Sequence, residues 1–110
     1  MSLDIGFLVR KPIVCPKCGE VVHKVDVDAA TSGGRGWYAI LEDLGYYVPF
    51  EQRTEENDWY GKDMALTEQQ VRQVYKKIRQ AHGLYNVDAI LALLAAALCD
   101  GNEVVVNADW

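Results

Sequence analysis

The residues with the most pointed chemistry are Cys15-Pro16-Lys17-Cys18-Gly19. Two thiolates at this spacing on a tight turn can share one Zn²⁺, and the glycine lets the backbone curl so that amides face sulfur. That is half of a structural zinc site, which takes four ligands, and the chain has no second such pair. His23 offers a third ligand in the pattern Cys-x₂-Cys-x₄-His, and Cys99 or a second chain are the other ways to fill the shell. Asp28 falls where a nucleic-acid-binding zinc knuckle has its last cysteine. On a regular strand from Glu20 to Asp28, however, His23 shares one side with Val21, Val25 and Val27 while Asp28 points to the other. Bare thiols in a turn and a hydrogen-bonded histidine are the plainer expectation. A redox pair is weaker, because Pro12 and Pro16 oppose the helix N-terminus that lowers such a thiol's pKa.

Other candidates have structural readings. Arg72, Lys76, Lys77 and Arg79 put four cations on one helical segment, a face that suits a protein partner or simply solvent. Trp59 and Tyr60 belong to an aromatic middle that also holds Trp37, Tyr38, Tyr46, Tyr47 and Phe50, and any ring left exposed there marks a contact surface. Glu55, Glu56, Asp58 and Asp63 do not follow a calcium-loop spacing. Gly33-Gly34-Arg35-Gly36 lacks the lysine of a phosphate loop and the spacing of a dinucleotide fingerprint. Cys99 is the obvious nucleophile to test, but it ends an apolar segment, where burial would raise its pKa, and no histidine is paired with it. His82 is explained by a helix C-terminus, where its charged form is favoured. No catalytic carboxylate pair, serine elbow or metalloprotease histidine pair is present, and the expectation is a protein that is not an enzyme.

Eleven Lys+Arg against sixteen Asp+Glu leave a net charge of −5, which argues against a broad phosphate-binding surface and makes nucleic acid an improbable partner. With 110 residues, half of them hydrophobic, residues 1–110 are expected to form a single domain. The longest apolar stretch, Ala89 to Cys99, is about half the length a membrane-spanning helix needs. Three cysteines without a secretory leader point to the cytoplasm.

The elements follow from periodicity. Residues 4–28 are expected to form a β-hairpin, with alternation at Ile5, Phe7, Val9 and at Val21, Val25, Val27 and the cysteine turn between them. A turn-rich break at 31–36 leads into a helical part, residues 37–100, interrupted by an irregular acidic loop at 51–63. Trp37, Ile40, Leu41 and Leu44 make a first helix, closed by Gly45. Thr67 with Gln70 forms a capping box for a second, whose apolar stripe is Val71, Val74, Tyr75, Ile78 and Ala81. Asn86 caps a third, apolar around its circumference and therefore expected to run through the interior. Residues 103–107 return as a strand. The expectation is an α+β domain of order ββαααβ, with a small, mainly antiparallel three-stranded sheet packed against three helices.

Taken together, the hairpin from Asp4 to Asp28, Gly36-Trp37-Tyr38, Leu44-Gly45-Tyr46-Tyr47, Asp58-Trp59-Tyr60-Gly61-Lys62-Asp63 and the terminal helix and strand resemble a group of small, uncharacterised bacterial and prophage-type proteins. The resemblance implies architecture and no activity. The functional expectation is a module that binds another protein or a second copy of itself. Zinc-stabilised nucleic-acid binding through the Cys15–Cys18 hairpin and a thiol-dependent enzyme are the alternatives.

Overall fold

The computed structural model describes residues 3–110, the side chain of Val22 aside. The elements are β1 (Asp4–Val14), β2 (Val21–Gly33), α1 (Trp37–Asp43), β3 (Met64–Leu66), α2 (Glu68–Gln80), α3 (Val87–Asp100) and β4 (Glu103–Asp109), with a single 3-10 turn at Phe50–Gln52. The fold is α+β, with a four-stranded sheet in the order β2-β1-β4-β3, antiparallel at every pairing. The expected three-stranded sheet and ββαααβ order are corrected by β3. Three residues are too short to show alternation in sequence, and Met64-Ala65-Leu66 becomes a strand because β4 leaves Val104 to Val106 open for pairing.

One side of this sheet carries the core. Leu3, Ile5, Phe7 and Val9 alternate inward beside Val104, Val106 and Ala108, and Trp37, Leu41, Val74, Ile78, Ile90 and Leu94 pack down on them. The helix ends behave largely as their residues require. The Thr67 hydroxyl accepts from the Gln70 amide at 3.2 Å while the Gln70 side chain accepts from the Thr67 amide at 2.9 Å. Asn86 differs from expectation: it takes a left-handed φ of 54° and makes no side-chain cap. Its amide instead donates to the Thr31 carbonyl at 2.9 Å, tying α3 to β2.

Two further expectations are corrected. β2 does not stop at Asp28 but continues through the polar residues Thr31 and Ser32 to Gly33, because Gly6, Ile5 and Asp4 of β1 supply partners. The third helix is not sealed inside. Ile90, Leu93, Leu94 and Ala97 are buried, whereas Ala89, Ala92, Ala96 and Cys99 are exposed. A two-layer fold covers one side of α3, and alanines expose little apolar area on the other. Gly34 and Gly36 turn against the loop before α3: a Cβ on Gly34, whose φ is +117°, would lie 2.0 Å from the Gly83 carbonyl oxygen. This glycine-rich segment therefore serves close backbone packing.

Candidate metal and contact site at the hairpin tip

The pairing of β1 with β4 ends at Arg10 and Glu103, and β1 continues outward paired with β2 alone. From Lys11 to Val25 the sheet is thus a two-stranded arm, whose base at Lys11, Pro12 and Lys24 still lines grooves with residues of α2 and α3. A register shift at Val9 and Arg10 marks its base. Ion pairs brace it there: Arg10 reaches Asp26 at 3.3 Å and Asp63 at 3.6 Å, and Lys24 bridges to Glu103 of β4. A groove of about 540 Å³ runs between the arm base and α3, lined by Val9, Lys11, Val27, Leu93, Ala96 and Asn102 among others.

The arm and its base carry exposed valines among polar residues. Val14, Val21, Val25 and Val27 are 49, 54, 37 and 50% exposed. The Val14–Val21 pair lies directly beneath the turn that carries the cysteines.

At the tip, the Cys15 amide donates to the Glu20 carbonyl at 2.8 Å, and the Gly19 amide, with φ +72° at that glycine, donates to the Cys15 carbonyl at 2.9 Å. This double closure folds the chain back so that the Cys15 and Cys18 side chains meet. Hydrogen bonding from the Cys18 side chain, then from the backbone of Cys18 and Lys17, holds the Cys15 thiol below its ordinary pKa. All three cysteines are free.

Of the sequence-derived metal residues, the structure brings Cys15 and Cys18 together. His23 stands exposed on β2 opposite Ile13. Among the described residues no group of three His, Cys, Asp or Glu side chains is placed to hold a metal ion. Cys99 is exposed on α3 rather than buried, because it lies on that helix's uncovered side.

The partner-binding candidates are distributed differently. On α2, Arg72 is paired with Glu68 at 2.8 Å and Lys77 with Asp43, while Lys76 and Arg79 are exposed. Trp59 is half-buried and its ring lies 6.3 Å from that of Tyr46. Tyr60 is 48% exposed and packs edge-on against Trp110 at 4.9 Å. Trp110 also meets Tyr46 and Tyr47, with the Arg53 guanidinium 5.4 Å from its ring. Much of the aromatic middle is therefore an internal clasp that fixes the loop at 51–63 to the end of β4. Phe50, 83% exposed, and Tyr85, 67% exposed, stand outside it. What sequence reading missed was the exposure of the valines on the arm and at its base. The alternation of Val21, Val25 and Val27 was visible, but it is identical to that of a covered strand, and only the position where β4 ends its pairing with β1 makes it a surface.

No helix among the described residues is long and apolar enough to cross a membrane. No family model, no curated protein and no solved structure matches the chain.

Proposed function

We propose that this chain is a non-enzymatic interaction module that works in the cytoplasm and pairs with a second copy of itself through the β1–β2 arm. The observation that carries this reading is the arm itself: a two-stranded ribbon whose tip pair, Val14 and Val21, is 49 and 54% exposed, with Val25 at 37% further down and Val27 at 50% at its base. Half-exposed valines are costly to leave in water and favour association. A second copy is the occupant because the arm is apolar beneath a tip bearing half of a tetrahedral ligand set, and an isologous contact supplies the other half from the same residues. The net charge of −5 and the presence of Glu20, Asp26 and Asp28 on or beside the arm disfavour the nucleic-acid alternative. A setting among small prophage-type proteins is compatible with such a module and adds no chemistry to it.

The test is light scattering after size exclusion, in reducing buffer with zinc present. The expected mass is twice the 12.3 kDa of one chain. Replacing Val14, Val21, Val25 and Val27 together by threonine, which keeps strand propensity, should weaken pairing by at least about tenfold without altering the circular dichroism. A single-chain mass for the unaltered protein, or undiminished pairing in the threonine variant, would overturn the reading.

A further inference from the structure

We infer that Cys15 and Cys18 from two copies of the chain together bind one Zn²⁺, making a tetrathiolate centre that joins two arms tip to tip. The inference rests on the pairing proposed above and goes further by naming the ligand, its four donors and the symmetry that assembles them. Three observations converge on it. The turn is closed by two backbone hydrogen bonds, at 2.8 and 2.9 Å, that bring the Cys15 and Cys18 side chains together. Among the described residues no third His, Cys, Asp or Glu is placed with them to hold a metal, so a pair of donors is what one tip presents. The tip also stands beyond β4 and the helices, with Val14 and Val21 beneath it about half exposed, so a second tip can approach and bury those valines alongside the metal.

Tetrahedral coordination by soft sulfur donors selects Zn²⁺ over harder cations, at Zn–S distances of about 2.3 Å. The balance is simple: four S–H bonds lose their protons to solvent, four Zn–S bonds form and no electrons are exchanged. The centre has an overall charge of −2 from four thiolates and one Zn²⁺. Lys17 of each copy, inside the turn, is the nearest cation in sequence, with Glu20 closing the same turn, while Lys24 is engaged with Glu103. His23, set back on β2 opposite Ile13, is not required.

The experiment titrates the reduced, metal-free chain with Co²⁺ and then Zn²⁺, following the thiolate-to-cobalt charge-transfer band and the mass by light scattering. Expected are half an equivalent of metal per chain, a doubling of mass from 12.3 kDa and its reversal by a chelator. C15S/C18S should lose both metal and metal-dependent mass, whereas H23A and C99S should keep them. One equivalent of metal on a single-chain mass, loss of binding in H23A, or equal binding by C15S/C18S would overturn the shared centre. A dimer that persists in chelator and in C15S/C18S would also overturn it while leaving pairing through the arm intact. A single-chain mass under every condition would remove both.

Discussion

Tyr46→Phe removes one oxygen atom and tests how the loop at 51–63 is held. The Tyr46 side chain is fully buried, and its hydroxyl accepts from the Ala108 amide at 2.8 Å while lying 2.6 Å from the Lys62 carbonyl and 3.2 Å from that of Ala108. Phenylalanine keeps the ring contacts with Trp59 and Trp110 but leaves the Ala108 N–H without that acceptor. Lys62 is exposed, so water can take over its carbonyl, and the Ala108 carbonyl keeps the Gly61 amide at 2.9 Å. The cost is then that of one orphaned buried donor, about 2 kcal/mol, within the usual range of roughly 1–3. For a domain of this size, that lowers the melting temperature by about 10 °C.

Burial, together with the carboxylates of Asp63 and Asp109, raises the Tyr46 pKa above its ordinary value. The folded state therefore holds this proton more tightly than the unfolded chain. The resulting stability is fully present below the unfolded pKa of about 10 and is lost as pH rises through the folded value. Thermal melts at neutral pH and through the alkaline range measure both effects, and Tyr46→Phe should lack the Tyr46 part of the alkaline loss. Tyr60→Phe is the control, expected within about 0.5 kcal/mol of wild type because that residue is about half exposed. A Tyr46→Phe protein as stable as this control would refute the claim that the hydroxyl closes the loop onto β4.

Gly34→Ala should be among the most damaging single changes. Its φ of +117° and a Cβ only 2.0 Å from the Gly83 carbonyl predict a loss of roughly 3 kcal/mol or more in a denaturant melt. Thr67→Ala removes the α2 capping box and should cost about 1 kcal/mol, whereas Thr67→Ser should recover most of it in the same melt. Cys99→Ser should leave stability within about 0.5 kcal/mol of wild type, since this thiol is exposed.

The local rules were legible wherever one element decides its own fate. Thr67 and Gln70 mark the start of α2 because the reciprocal cap uses only neighbouring groups, and the inward alternation of Ile5, Phe7 and Val9 is visible because it repeats with the period of a strand. The misses were set by tertiary placement. Met64–Leu66 becomes a strand only because β4 offers an edge, and Thr31 and Ser32 stay extended only because β1 reaches back to them. The alanines of α3 look as apolar as its leucines in sequence, yet the sheet and α2 cover one side of the helix. At the candidate site the cysteine turn could be read from five residues. The exposure of the valines beneath it could not, since it depends on where β4 ends its pairing with β1, at Arg10.

The most direct measurement of the central claim is the ratio of bound zinc to chain, taken together with mass on the same reduced sample. One zinc per two chains, in a species of twice 12.3 kDa that a chelator returns to single chains, is the expected result. One zinc per chain in a 12.3 kDa species, or no zinc in a metal-replete sample, would contradict it.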